Sequence, residues 1–329
     1  MIMLKPILIF FFGLIVFQTA RAQLSKPPKG SSLYYLSYTG EIADDKKGAD
    51  HILLIMPLDS SSGKKLYPIN EYYPNGKPKL IANSSSKIYN KLVFEGICVE
   101  FYNNGTKKSI INYENGELIG NVTLYYPNSK LYANENYDRS GQVKLIESRD
   151  SIGNILCEKG NGKWIKYLNN FKTELEEGIV KDSLEDGEWH EHYFPAEDYT
   201  TVYSKGKIIS STDPERPIGE VIYNYNNLDI LPEYKGGMLY FYRFLGMTIH
   251  YPNDAKINNI QGKVLITFLV KKDGALTDIK VLKSPDKILS DEALRVVKLS
   301  LPWISGSHGG KPVLVQYTVP ISFTLSSDR

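Results

Sequence analysis

A short turn pattern recurs along the middle of the chain and constrains its fold more than any other feature. Its core is a tyrosine followed by two turn-forming residues, then often glycine and a lysine or glutamate. Asparagine and glycine tolerate the positive φ that tight hairpin turns require. Five copies keep this form and a sixth, beginning at Tyr137, is looser; the five begin at Tyr73, Tyr102, Tyr113, Tyr126 and Tyr203.

The segments between these turns alternate in polarity, as in Asn121 to Tyr126. From Gly105 the turns recur at spacings of 11, 13 and 12 residues, at positions 105, 116, 129 and 141. The chain also has 24 tyrosines against 12 phenylalanines, and tyrosine suits a strand with one partly hydrated face. Residues 67–209 are therefore predicted to form a meander of short antiparallel hairpins.

This region resembles the MORN-like repeats of the YwqK-type family, which share the Tyr-x-Asn-Gly-Lys turn and a following aromatic strand. The resemblance implies an elongated, single-layer β-sheet that serves as a scaffold or binding surface. A fold of this kind does not by itself carry a function.

The first 22 residues have the pattern of an export signal. Lys5 precedes an apolar run of about 12 residues, whereas a membrane-spanning helix needs roughly 20. Ala20 and Ala22 are the small residues that a signal peptidase reads, which predicts cleavage before Gln23. We expect an exported protein; the alternative is an uncleaved anchor in the membrane. Residues 23–66 form an extended lead-in with a strand from His51 to Leu58.

A proline-containing polar stretch at 210–230 reads as a linker to a second domain, 231–329. There, apolar residues at helical spacing predict a helix from Met238 to Ile249, and a further helical turn follows at Asn253 to Asn258. Asp273-Gly274 is a strong hairpin signal between two alternating segments, 261–272 and 275–284, with a register change near Asp278.

A second helix is predicted to begin at Ser290, which has the character of an N-cap followed by two acids. Its apolar face comprises Ala293, Leu294, Val296, Val297 and Leu299. A last strand, 312–325, contains Pro320, which cannot donate to a ladder and so indicates an edge strand or a bulge. The predicted fold class is mainly β with a C-terminal α+β module.

Seven short motifs follow one another from about Leu231 to Leu325, beginning with Leu231-Pro232-Glu233-Tyr234-Lys235-Gly236-Gly237 and ending with Val319-Pro320-Ile321-x-Phe323. In these motifs and their order the second domain resembles the C-terminal domain of the TonB family. Ser305 departs from the pattern, since a proline usually precedes the glycine at 306. The signature positions are Gly236, Gly237, Tyr251, Pro252, Gly262, Asp273, Gly274, Ala293, Arg295, Pro302, Trp303 and Pro320.

What the resemblance implies is a sheet of three antiparallel strands backed by two helices. Together with the export signal, it also implies a location in the periplasm of a Gram-negative bacterium, or at its inner membrane if residues 1–22 are retained. It also implies a partner: such domains bind a short periplasmic segment of a TonB-dependent outer-membrane transporter, or another envelope protein, by adding it as a strand at a sheet edge. The candidate edge is the last strand, with Val313, Val315, Gln316, Tyr317 and Thr318 as partner-binding residues. The alternative for Val313, Val315 and Phe323 is that they only build the core, and edge strands could also pair two copies as a homodimer.

Two functions remain open for the whole chain. One is a secreted, non-enzymatic interaction protein of the cell envelope. The other is a TonB-type energy transducer, which would retain residues 1–22 as an inner-membrane anchor. Transducers need a long, stiff, Pro-rich linker, and this chain has a repeat region in its place.

Other functional classes find little support in the sequence. A net charge of +2 argues against a nucleic-acid-binding protein, and no catalytic, small-molecule, cofactor or metal site is predicted. His190 and His192 would lie on one face of a strand, as metal ligands can, but a third ligand is lacking and surface residues are the simpler interpretation. Cys98 and Cys157 leave two alternatives open, a disulfide or two separate buried thiols.

Overall fold

The computed structural model describes residues 27–37, 42–43, 49–61, 63–139, 143–168, 171–223, 228, 230–300 and 303–325. The predicted export signal, 1–22, lies outside these residues. Within the described part, none of the helices has the length and apolarity to cross a membrane. The chain divides into two compact units between Tyr132 and Ala133.

The first unit is an antiparallel meander, as its turn spacing predicts. Each strand pairs with the next in sequence, except that β8 pairs with β6 and the short β7 also pairs with β6. The predicted strand at His51 ends earlier than expected and is buried throughout. The strands are β1 (Ser32–Leu36), β2 (His51–Ile55), β3 (Tyr67–Tyr72), β4 (Pro78–Ser84), β5 (Gly96–Phe101), β6 (Lys107–Glu114), β7 (Glu117–Leu118) and β8 (Gly120–Tyr125).

The tyrosine repeat contains two kinds of turn that the sequence pattern groups together. In the first kind, seen at 73–77, 102–106 and 126–130, an asparagine side chain at the third position accepts the N–H two residues later, and the fourth residue has positive φ. In the second kind, both central residues have positive φ, as at Asn115-Gly116 and Lys205-Gly206. The second kind is the two-residue hairpin turn, whose twist matches that of the strands.

The tyrosine of the first turn type links neighbouring turns. The Tyr73 hydroxyl donates to the carbonyl oxygen of Phe101 at 2.8 Å, and the Tyr102 hydroxyl donates to that of Tyr125 at 2.7 Å. Each bond joins one turn to the residue that precedes the next turn of the same kind. The tyrosine therefore recurs because it satisfies a backbone acceptor outside the strand ladder.

The second unit begins within β9, the first of eight further meander strands that pair in sequence order. Gly178 lies opposite Trp189, whose ring is fully buried and packs edge-on against Trp164. The strands are β9 (Leu131–Tyr137), β10 (Val143–Arg149), β11 (Ile155–Glu158), β12 (Asn161–Tyr167), β13 (Glu174–Lys181), β14 (Leu184–Tyr193), β15 (Glu197–Ser204) and β16 (Lys207–Ser211).

The rest of the second unit is the predicted α+β module. A three-stranded antiparallel sheet in the order β19-β18-β23 is backed by helices, and β17 pairs with β20 while β21 pairs with β22. The elements are β17 (Glu233–Tyr234), α1 (Met238–Thr248), α2 (Asn253–Ile257), β18 (Gly262–Val270), β19 (Leu276–Lys283), α3 (Lys287–Leu299), β20 (Trp303–Ile304), β21 (Ser307–His308), β22 (Lys311–Pro312) and β23 (Val315–Phe323). The predicted fold class is confirmed.

The core of this module agrees with the alternation of β18. Val264, Ile266, Phe268 and Val270 are all fully buried beneath α1 and α3. The predicted register change is also present: β19 bulges opposite Phe268, and Asp278 has a φ of 51°. A bulge of this kind redirects a side chain, and here the side chain is that of Asp278.

Three details of the module differ from the sequence prediction. Helix α3 begins at Lys287, because Asp286 is the N-cap and accepts the N–H of Ile288; Ser290 is inside the helix. Leu299 is exposed, because it lies in the last turn and on the far side from the core. The final strand is shorter than expected, since Lys311-Pro312 pairs with β21 instead of continuing into β23.

Candidate partner-binding edge

Strand β23 is an edge strand of the module's sheet. It pairs with β18 in an unbroken register from Val315 opposite Val270 to Phe323 opposite Gly262. Pro320 occurs within this ladder without a bulge, opposite Leu265. This placement agrees with the prediction from proline, since proline is tolerated in a strand where its missing N–H faces away from the neighbour.

The side chains of β23 alternate between its two faces, and its backbone groups alternate between the side that pairs with β18 and the outer side. The side chains of Val319, Ile321 and Phe323 are buried in the core beneath the helices, and that of Val315 is also buried. Because backbone groups alternate between the two sides of a strand, those of even-numbered residues point away from β18. The bonds of Gln316 and Leu314 to Tyr223, described below, confirm this direction. Thr318 and Ser322 therefore direct their N–H groups outward, whereas Pro320 presents only its carbonyl.

The five residues predicted from sequence to bind a partner have different environments. Val313 and Val315 are buried, and Tyr317 packs against Trp303 with its ring centre 5.6 Å away. Gln316 is half-buried, and Thr318 alone among the five has an exposed side chain. The side chains at 313, 315 and 317 thus build the core, so any partner contact at these positions must involve the backbone.

Strand β19, at the opposite edge of the sheet, is partly paired with the segment that follows β14 in the same unit. The N–H of Phe194, which follows β14, donates to the carbonyl oxygen of Val281 in β19 at 2.8 Å. Next to it, Leu282 packs with Leu168 and Tyr193 of the meander. The module's two edges are therefore not equivalent: β19 is partly paired with the segment after β14, whereas the N–H groups of Thr318 and Ser322 on β23 have no backbone partner among the described residues.

Buried charges also join the module to the meander. Arg216 pairs with Glu191 of β14 and with Asp278 of the bulge, the latter at 3.0 Å between Nη1 and Oδ2. Lys280 pairs with Asp278 and with Asp213. All five side chains are nearly inaccessible to solvent, so the segment predicted as a linker includes residues of a buried ionic cluster.

Burial shapes the electrostatics of this cluster. It lowers the pKa of Lys280, although hydrogen bonding to Asp213 acts in the opposite direction. Burial likewise lowers the pKa of Arg216. Within the described residues, Nε of Arg216 and Oε1 of Glu191 lack a hydrogen-bond partner. Burying such a network costs desolvation energy, which the attraction between its members offsets.

Sequence reasoning did not identify Asp213, Arg216 or Glu191. The first two lie in a polar, proline-flanked stretch that has the composition of a loop. Glu191 alternates with the surface histidines of the same strand and gives no periodic signal of burial. A charged residue in a loop becomes recognisable as buried only when its partners from other elements are known.

The signature residues have structural roles in the module. Gly274 has a φ of 82°, and a Cβ atom at this position would overlap the carbonyl oxygen of Trp303. Gly262 has a φ of 140°, and a Cβ there would meet Pro285 at 2.7 Å. Asp273 accepts the N–H of Ala275 in the hairpin. The two glycines thus allow close approaches that a side chain would block, and Asp273 stabilises the hairpin turn.

Other signature residues tie the helices together. Arg295 of α3 donates to the carbonyl oxygen of Thr248 at 2.8 Å and pairs with Glu292, which accepts the N–H of His250. Tyr251 donates to the carbonyl oxygen of Ile260, and Ala293 is fully buried. The remaining positions serve at helix starts or in the core, with Gly236 and Gly237 before α1, Pro252 before α2 and Trp303 inside the aromatic core. Pro302 lies outside the described residues.

The other residues that the sequence offers as candidates are two histidines and two cysteines. His190 and His192 share a face of β14, as predicted; His192 pairs with Asp198 at 2.8 Å, and Nδ1 of His190 lies 3.4 Å from the Thr200 hydroxyl. No group of metal-binding side chains is found among the described residues. Cys98 and Cys157 are both buried free thiols, which decides between the two alternatives. Burial raises the pKa of both, that of Cys98 to about 12.

Comparison with known proteins agrees with the sequence resemblance. Residues 247–325 match the family described as Gram-negative bacterial TonB protein C-terminal. The chain is 40% identical over 81 residues to Protein TonB of Helicobacter pylori strains J99 and 26695, a match that covers 24% of this chain. The matched part spans only about a quarter of those relatives, 27% and 26% of their length.

Two NMR solution structures of the Helicobacter pylori TonB C-terminal domain are also similar in sequence. They are 31% and 30% identical to this chain and cover 28% of it, with 96% and 82% of their own length included. The TM-score is 0.23 for both. On the strength of the family match and the H. pylori relatives, the C-terminal module of this chain is a TonB-like domain.

Proposed function

We propose that this protein is a non-enzymatic component of the cell envelope whose TonB-like domain captures a partner segment by β-strand addition on the outer side of β23. The observation that carries this proposal is the orientation of Thr318 and Ser322, whose N–H groups point away from β18 at the sheet edge. An extended peptide binds such an edge mainly through backbone hydrogen bonds.

The chain's own contacts support β23 over the other edge. Because Phe194 already pairs with Val281 of β19, a partner strand would have to displace part of the meander there. On β23, no described residue beyond Tyr223 pairs with the outward backbone groups. The binding region that we propose therefore runs from Thr318 to Ser322, in the second half of the predicted edge, and of the five residues named from sequence it keeps Thr318.

The partner we propose is a periplasmic segment of an outer-membrane transporter or of another envelope protein. Its support is the similarity of the module to proteins named TonB. The apolar start of the chain supports export to the periplasm. The meander is compatible with MORN-like repeats and supports a scaffold role for the first part of the chain.

A pair of matched substitutions tests the edge. Thr318→Pro and Ser322→Pro each remove one outward donor, whereas Thr318→Ala and Ser322→Ala keep it. The assay places a photo-crosslinking amino acid at the exposed position Lys263 of the neighbouring strand, in intact cells, and identifies the captured envelope protein by mass spectrometry. We expect capture to fall severalfold in both proline variants and to persist in both alanine variants.

Two results would contradict strand addition. Equal capture by the proline and alanine variants, with folding verified by circular dichroism, would exclude backbone pairing as the basis of binding. A crosslink between two copies of this chain alone would indicate a homodimer through β23 instead of a transporter segment.

The alternative function, a TonB-type energy transducer, is favoured by the names of the relatives. It differs from capture alone in requiring a membrane anchor. N-terminal sequencing of the mature protein combined with membrane fractionation separates the two. A mature terminus at Gln23 in the soluble periplasm would exclude the transducer, and retention of residues 1–22 in the inner membrane would exclude the secreted protein.

A further inference from the structure

A segment that precedes the module lies against the beginning of β23. The N–H of Tyr223 donates to the carbonyl oxygen of Leu314 at 2.9 Å, and the N–H of Gln316 donates to the carbonyl oxygen of Tyr223 at 3.0 Å. Tyr223 and Val315 thereby form a parallel β-bridge. We refer to residues 217–223 as the covering segment.

These two bonds use the same kind of backbone group that the proposed partner strand would use. Leu314 and Gln316 direct their outward groups to the side of β23 that faces away from β18, as Thr318 and Ser322 do. The outer edge therefore has two parts. Its first part, Leu314 to Gln316, is paired with the chain itself, and its second part begins at Thr318.

Other attachments of the covering segment lie near the surface. Glu220 pairs with Lys272 at 2.9 Å, and both side chains are about half exposed, 42% and 54%. Gly219 donates to the carbonyl oxygen of Ile208 at 2.9 Å. The Tyr223 ring lies at 5.4 Å from that of His308. Exposed ion pairs hold a segment weakly because water and salt screen them.

A cavity of about 330 Å³ lies beside the covering segment. Pro217 and Glu220 line it on one side, and Lys271, Thr277 and Leu314 line it on the other. The segment is thus bound to β23 by its backbone at Tyr223 but is not closely packed on the hairpin beneath it. A contact of this kind can separate without opening the core.

We propose that the covering segment is an internal competitor for the partner strand: it occupies the first part of the β23 edge and is displaced when a partner pairs along the whole edge. This inference rests on the proposed function. Displacement adds the outward groups of Leu314 and Gln316 to those of Thr318 and Ser322. In the unbound protein the same contact shields the edge from pairing with other strands, which is a hazard of exposed edges.

Hydrogen exchange on the purified full-length chain tests the contact without any partner. The Gln316 amide should exchange more slowly than the outward amides of Thr318 and Ser322. In Tyr223→Pro combined with Glu220→Gln, which removes the donor to Leu314 and the exposed ion pair, exchange at Gln316 should rise at least tenfold. Tyr223→Phe keeps the donor and should leave the rate unchanged. The inward amide of Val319 reports on the fold and should not change in any variant. An unaltered rate at Gln316 in the double variant would show that the segment does not protect the edge.

Partner capture in cells, measured with the crosslinker at position 263, then tests competition. We expect the double variant to capture the partner severalfold more than the wild type and Tyr223→Phe. Capture that is the same in all three, with exchange at Gln316 raised, would overturn the competitor and leave strand addition at Thr318 to Ser322 intact. If no variant captures a partner, and Ser322→Pro and Ser322→Ala do not differ, the proposed function itself fails.

Discussion

Arg216 and Asp278 form a buried ion pair, with Nη1 and Oδ2 3.0 Å apart, that joins the end of the meander to the bulge of β19. Arg216 also pairs with Glu191, and Asp278 also pairs with Lys280. The bulge at Asp278 has a clear role in this arrangement, because the Asp278 carboxylate pairs with Arg216, which follows the meander, and with Lys280 of the same strand.

Replacing Arg216 by alanine should therefore destabilise the second unit strongly. The substitution leaves Glu191 buried without its cation and removes one of the two cations that pair with Asp278. A cost of about 3–5 kcal/mol is typical when one partner of a buried ion pair is removed. Chemical denaturation followed by tryptophan fluorescence measures the change. Lys272→Ala removes the exposed pair with Glu220 and is the matched control, with an expected cost of about 0–1 kcal/mol. Similar costs for the two variants would contradict the role assigned to burial.

Gly274→Ala should be much more harmful than Gly309→Ala. Both glycines have positive φ, so both substitutions carry the cost of a left-handed residue, about 1–2 kcal/mol. At Gly274 the new methyl group would also overlap the carbonyl oxygen of Trp303, whereas nothing lies within 4 Å of a Cβ at Gly309. The thermal midpoints of the two variants give the comparison. Equal midpoints would show that the hairpin moves away from Trp303 at no cost.

The buried carboxyl of Glu135 should make stability fall with rising pH. Burial raises its pKa, although the Tyr137 hydroxyl donates to it at 2.7 Å. A raised pKa means that the folded state holds this proton more tightly than the unfolded state. Its contribution is complete below the ordinary pKa of about 4.5 and is lost as pH rises through the folded pKa. We expect Glu135→Gln, which keeps an acceptor for Tyr137, to lose less stability than the wild type over this interval. The comparison is made with the free energy of unfolding, measured by chemical denaturation at a series of pH values. The same pH dependence in both proteins would contradict the role assigned to Glu135.

The two cysteines should be unreactive in the native protein. Both thiols are buried, and the pKa of Cys98, raised by burial to about 12, leaves almost no thiolate at neutral pH. A colorimetric thiol reagent should detect none in the folded chain and two in denaturant. Ser151→Cys places a thiol at an exposed position and should react at once. Fast reaction of the wild type, or a count of zero in denaturant, would rule out two buried free thiols.

Much of the fold is predictable from local sequence. The alternation of β18 identifies its four buried residues, and Asp273-Gly274 locates the hairpin, because both patterns depend on nearest neighbours. Pro320 identifies β23 as an edge strand in a similarly local way, because proline has no backbone N–H to donate to a second neighbouring strand. Helix boundaries are less certain, since Asp286 and Ser290 are both acceptable N-caps and only the packing of Ser290 selects the former.

The sequence by itself thus determined the repeat meander, the TonB-like module and the edge character of its last strand. The tertiary structure decided which part of that edge is accessible. Phe194 closes β19, Tyr223 covers Leu314 to Gln316, and Arg216 in an apparent linker is buried against Asp278. These contacts join residues tens of positions apart, so local periodicity cannot encode them, and they exist only once separate elements have packed together.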